Sequence, residues 1–194
     1  MVITDLLSPP LPERLQLEVT AACNLRCRMC IVRYRPPFSR AASMSFATFR
    51  ALVDALPGLR EVVLQGIGEP LLAPDIFKMV AYATERGIIC GFNTNATLLS
   101  RRAGERLLDA GLGYLRFSLD GASQETYEYV RAGAKWDAVT RNIDGFVRLM
   151  RERGATRPAL RIVAVLMKRN LHELPQIIER AADWGIPEVW AQNL

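Results

Sequence analysis

The chain has 194 residues, half of them hydrophobic and 23% charged, with a net charge of +5 from 25 basic and 20 acidic side chains. That size and balance fit one globular domain and leave no place for a disordered or fibrous class. The basic excess is spread along the chain rather than gathered into a nucleic-acid patch. No apolar run approaches the ~18 residues of a membrane span, and the opening MVITDLLSPPLPERL lacks the leader of a secreted protein.

In chain order, apolar, β-rich runs alternate with helical patterns. Strands are expected at Leu15–Thr20, Glu61–Gln65, Ile88–Asn93, Tyr114–Leu119, Leu160–Leu166 and Glu188–Ala191. Several of these are continuously apolar, as in strands buried on both faces. Ser45 is placed to cap a helix reaching about Leu56, with Phe46, Phe49 and Val53 at helical spacing. Pro74 opens a second helix that stops at Gly87. Ser100 caps a third that stops at Gly111, a longer one runs from about Trp136 to Arg153 before Gly154, and a fifth runs from about Leu171 to Trp184 before Gly185. Arg33–Arg40, RYRPPFSR, reads as a surface loop. About six strand–helix units imply a parallel sheet with right-handed crossovers. An open doubly wound sheet and a partial barrel both satisfy this pattern.

The chemistry concentrates in Cys23-Asn-Leu-Arg-Cys27-Arg-Met-Cys30, directly after the first strand. Parallel α/β folds build their sites at that edge. Crowded thiols suit metal binding in a reducing cytoplasm better than a disulfide framework. Thiolates are soft ligands that favour iron–sulfur clusters or zinc. A four-iron cluster held entirely by protein uses four cysteines. Three local thiolates leave one iron open, and an open metal position marks a reactive site. The structural alternative is a zinc ion with a distant fourth ligand, for which His172, the sole histidine, and Cys90, the sole spare thiol, are the candidates.

CxxxCxxC after a first strand resembles the radical SAM superfamily. Gly66-Ile-Gly68-Glu69-Pro70 after the second strand is similar to that family's GGEP motif. Asn93-Thr-Asn95 and Ser118-Leu-Asp120-Gly121 follow in family order. Tyr127–Val139, with Arg131-Ala-Gly133, resembles the branch whose members carry SPASM-type auxiliary-cluster domains. The resemblance covers residues from about 14 to the end and implies a partial (β/α)6 TIM-like barrel. It also implies a [4Fe–4S] cluster on Cys23, Cys27 and Cys30, with S-adenosylmethionine chelating the open iron. One-electron cleavage would give a 5′-deoxyadenosyl radical that takes hydrogen from a substrate carbon.

On that resemblance, Gly66 and Gly68 let backbone approach the methionyl ammonium, Glu69 adds an acceptor, and Pro70 completes the motif. Ser118 and Arg131 contact the methionyl carboxylate, which suits the guanidinium fork. Gln65 reaches the same cofactor. Asn93, Asn95 and Asp120 either bond ribose hydroxyls or fix loops. Met29 packs near the adenine, and Val165 either lines that pocket or belongs to the core.

Cys90 reads as an inert core thiol, and His172 as a solvent-facing cap. Arg33, Arg35 and Arg40 are candidates for an anionic substrate. Lys168, Arg169, Gln192 and Asn193 are placed at the functional edge by position alone. Residues 1–13 form an N-terminal extension and 14–194 the core domain. The last helix is missing after the sixth strand, so a truncated core is expected, with self-association through its exposed edge. The implied partners are a peptide or sugar-like substrate and a reductant such as flavodoxin or ferredoxin, with no nucleic acid and no membrane. The rival of another class is a non-catalytic iron–sulfur electron carrier or scaffold.

Overall fold

The computed structural model describes residues 11–34 and 42–193. Arg35 and Arg40 lie outside the described residues, as does most of the expected N-terminal extension. The six strands are β1 (Arg14–Gln16), β2 (Glu61–Val63), β3 (Ile89–Thr94), β4 (Tyr114–Ser118), β5 (Ala159–Leu166) and β6 (Glu188–Asn193). They form one sheet in the order β1-β2-β3-β4-β5-β6, every neighbouring pair parallel. A doubly wound sheet reverses its strand order at a switch point. This one never does, so right-handed crossovers carry every helix to the same face and the sheet curls into a half-barrel.

The helices are α1 (Phe46–Asp54), α2 (Ile76–Thr84), α3 (Arg101–Asp109), α4 (Gln124–Val130), α5 (Trp136–Glu152) and α6 (Leu174–Trp184). Ser45 and Ser100 cap as the sequence predicts, their hydroxyls accepting from the Thr48 and Ala103 amides at 3.1 and 3.2 Å. The four glycine stops, Gly87, Gly111, Gly154 and Gly185, all adopt positive φ. The core lies between these helices and the outer sheet face. Phe92, Leu115, Phe117 and Ile162 of the strands meet Met79, Val80, Leu107, Ile143 and Ile177 of the helices, all fully buried. Gly104 lets α3 sit close on α5, since a Cβ there would stand 2.8 Å from the Phe146 ring.

Four expectations are corrected. β1 pairs only over Arg14–Gln16, because the chain then diverges and Thr20 bridges antiparallel to Ser43. Pro74 precedes the second helix rather than opening it, since a turn closed by the Ile76 amide on the Ala73 carbonyl delays the start to Ile76. Leu171–Glu173 is a 3-10 turn ahead of α6. His172 is exposed there and makes no capping bond. The carboxylate of Glu173 instead accepts from the Ala122 and Ser123 amides and the Ser123 hydroxyl. The sequence reading also passes over α4, a short helix capped by Ser123 through the Thr126 amide.

Candidate cofactor site

The cysteine loop leaves β1 and is stitched down on two sides. Its Arg26 and Arg28 amides donate to the Ala132 and Val130 carbonyls at the end of α4, and the Ala22 carbonyl accepts from the Glu69 amide at 2.7 Å. Cys23, Cys27 and Cys30 border one cavity of about 340 Å³ at the C-terminal edge of the sheet, a volume ordinary for a small-molecule site. Burial raises the Cys23 and Cys27 thiols above their usual range, so binding a metal there must release protons. Among the described residues, no three His, Cys, Asp or Glu side chains, the three cysteines included, stand close enough to share one metal ion. Cys90 sits in the core, 1% exposed, and burial pushes it up to about 12.

Met29, Gln65, Gly66, Gly68, Glu69, Asn93, Asn95, Ser118, Arg131 and Val165 line the same cavity. Pro70 and Asp120 do not. Pro70 starts the 3-10 turn Pro70–Leu72. Asp120 lies fully buried behind the wall, 2.7 Å from Arg131 Nη2, and its other oxygen accepts from the Val165 amide at 2.7 Å. Arg33, Lys168, Arg169, Gln192 and Asn193 are exposed and lie off the cavity. Arg169 is committed to Glu125, at 2.6 Å.

Gly66 and Gly68 are also required by the packing of the chain itself. A Cβ at Gly66 would meet Glu18 Cγ at 2.3 Å, and one at Gly68 would meet the Thr20 carbonyl oxygen at 2.1 Å. Both spaces are filled by the chain's own first loop. Glu18 also accepts from the Ile67 amide at 2.6 Å. Glu69 is 2% exposed. Burial raises its carboxyl, against the opposing pull of the Asn95 amide, the Thr94 hydroxyl and the Leu71 amide.

The asparagines separate. Asn95 spends its side chain inside the loops, donating to Asn24 and accepting from Thr97. Asn93 Oδ1 is buried with no partner, and so is Arg131 Nε. Burial opposes the Arg131 charge most strongly, yet Asp120, Tyr127 and Cys27 together outweigh it and hold the guanidinium above its ordinary value. The cavity is thus lined by a fixed cation, Arg131, and by Asn93, and each of these residues keeps one buried polar atom without a partner. Buried groups of this kind are costly unless something completes them, so the polar wall and the three-thiol donor set fit a cluster together with an anionic, hydroxyl-bearing organic ligand. Sequence reasoning passed over Glu18, Asn24, Thr94 and Leu25. Thr94, one step from Asn93, carried the signal of a polar residue at a core-facing strand position.

Comparison with known proteins bears on this geometry. The chain is 28% identical over 187 residues (93% of the chain, 51% of the relative) to the tungsten-containing aldehyde ferredoxin oxidoreductase cofactor-modifying protein of Pyrococcus furiosus. It is 31% identical over 175 residues (90% and 48%) to the AdoMet-dependent heme synthase of Methanosarcina barkeri. It thus spans about half the length of the curated relatives it matches. Among solved structures, Streptococcus suis SuiB bound to S-adenosylmethionine superposes with a TM-score of 0.77 at 22% identity, over 94% of this chain and 41% of that one. SuiB bound to precursor peptide SuiA gives the same TM-score at 21% identity, over 94% and 39%. The family model for the radical SAM superfamily matches residues 17–181, and with that match the chain belongs to the radical SAM superfamily.

Proposed function

We propose that this chain is the cofactor-binding core of an enzyme in which Cys23, Cys27 and Cys30 hold a [4Fe–4S] cluster and the adjoining cavity seats S-adenosylmethionine. Its superfamily binds both groups. Bound together, they supply one-electron cleavage of the sulfonium to a 5′-deoxyadenosyl radical that removes hydrogen from carbon. The observation that carries the reading is that Arg131, Asn93, Ser118 and the buried Glu69 line one cavity with three thiols.

Each residue then has a task. Arg131 presents its fork to the methionyl carboxylate, helped by the Ser118 hydroxyl. Asp120 is a positioning residue, since it fixes Arg131 from behind. The buried Glu69 carboxylate faces the methionyl ammonium. Asn93 accepts from a ribose hydroxyl, and Met29, Ile67 and Val165 offer the adenine an apolar surface. Gln65, at the end of β2, orients the nucleoside. Exposed Arg26, Arg28 and Arg33 flank the cysteines and favour an acidic one-electron donor of the flavodoxin or ferredoxin type. The substrate is a peptide or a sugar-like small molecule. The peptide class draws support from SuiB, whose structure holds a precursor peptide. Free thiols on all four cysteines support a reducing, cytoplasmic setting, and no helix among the described residues is long and apolar enough to cross a membrane.

Anaerobic reconstitution followed by dithionite and S-adenosylmethionine should release 5′-deoxyadenosine, and Cys27→Ala should abolish both iron binding and that product. A fully loaded cluster that releases none would favour the electron-carrier reading.

A further inference from the structure

The sequential strand order leaves the inner sheet face without helices, and that face is polar where closed barrels stack branched apolar side chains. One cross-strand row reads Asn93, Arg116, Arg161, Glu188. Asn93 lines the cofactor cavity. Arg116 is its lateral neighbour and stands two residues, about 7 Å, below cavity-lining Ser118 on the same face of β4.

The charges of this face do not pair off. Glu61 accepts from Arg14 at 3.1 Å and from the Tyr114 hydroxyl at 3.1 Å. Glu188 pairs with Arg161 at 2.6 Å and accepts from the Trp190 indole at 3.2 Å. Among the described residues Arg116 makes no ion pair and lies against rings, 4.4 Å from the Tyr114 centroid and 4.7 Å from that of Trp190, with Arg161, Glu61 and Arg14 acting on it from farther off. It is 8% exposed, its Nε has no partner, and among the described residues no carboxylate stands within ion-pairing distance. Burial weighs against the Arg116 charge and lowers its pKa, and an apolar residue would fill this position at lower cost. Of the arginines on this face, Arg14 and Arg161 are each held by a glutamate, which leaves Arg116 to take a single carboxylate. The planar fork suits the same group.

We infer that Arg116, backed by Arg161 and flanked by Tyr114 and Trp190, is the subsite that anchors a carboxylate of the substrate on the lumen side of the cofactor cavity. The assignment rests on the proposed function and narrows its substrate class. A substrate held there extends along β4 toward Ser118 and the cavity, so Arg116 fixes which of its carbons faces the reacting group.

The test titrates the reconstituted full chain, loaded with S-adenosylmethionine, by calorimetry and tryptophan emission. The probes are N-acetylglutamate α-amide for a peptide side chain, 4-phenylbutyrate for a free acid, neutral N-acetylglutamine α-amide, and inorganic phosphate. At least one carboxylate should bind roughly tenfold or more tighter than the neutral amide, and which one is tighter identifies the source. Arg116→Gln should erase that preference. Arg116→Lys, which keeps the charge without the fork, should weaken it about threefold or more, and serves if the Gln variant loses its native circular dichroism. Equal binding of acid and amide, an unchanged preference in the variant that folds, or phosphate binding tighter than either carboxylate would overturn the subsite. Release of 5′-deoxyadenosine by the unaltered chain is read separately. A chain that releases it but shows no carboxylate preference refutes this inference alone, whereas a chain that releases none refutes the proposed function.

Discussion

Arg131 and Asp120 are worth more as a pair than as two polar residues. Arg131 is 8% exposed and Asp120 fully buried, and neutralising one partner strands the other. Asp120→Asn should lower stability by about 3–5 kcal/mol in urea unfolding, while adding Arg131→Met should recover part of that loss. An additive double variant would show that the two charges are not coupled. Cys90 gives a second test at the same scale. Its thiol is pushed up to about 12 in the fold, whereas an unfolded thiol titrates near ~8.5. Between those values the folded chain holds a proton that the unfolded chain has released. Stability contributed by the neutral thiol is therefore complete below about pH 8.5 and is lost as pH rises, by about 1.4 kcal/mol per unit. Cys90→Ala should flatten that alkaline slope in unfolding measured from pH 8 to 11; an unchanged slope would assign it to other groups.

At the scale of elements, much was legible because the signals are local. Ser45 and Ser100 sit one residue before apolar-periodic runs, and glycines follow those runs where the chain must turn left-handed. The short α4 escaped notice because its seven residues carry too little periodicity to stand out beside the Asp120-Gly121 turn. The site was legible as a set of motifs, but its wiring was not. Asn95 and Asn24 meet across 71 residues of sequence, and Gly68 is explained only by the carbonyl of Thr20. Contacts of that kind come from the parallel register, which brings the loops after β1, β2 and β3 together. The same dependence on neighbours governs α3 and α5. Gly104→Val should displace the Phe146 and Leu149 side chains and lower the unfolding midpoint by the equivalent of about 1–3 kcal/mol. A neutral result would mean that the two helices separate freely.

For the molecule as a whole, the uninterrupted order of six parallel strands decides the architecture of function. Helices cover one face and carry the core, while the other face curls around a polar lumen. The cysteine loop, Glu69, Asn93, Ser118 and Arg131 all stand at the strands' C-terminal edge above that lumen, where successive loops converge. The proposed chemistry requires a cluster with three protein sulfurs and one iron reserved for a ligand. Mössbauer spectra of the ⁵⁷Fe-reconstituted chain, recorded with and without S-adenosylmethionine, measure this directly. The chain should hold about four irons, of which one alone changes its parameters when S-adenosylmethionine is added. Four irons that are alike and unmoved by it would contradict the account.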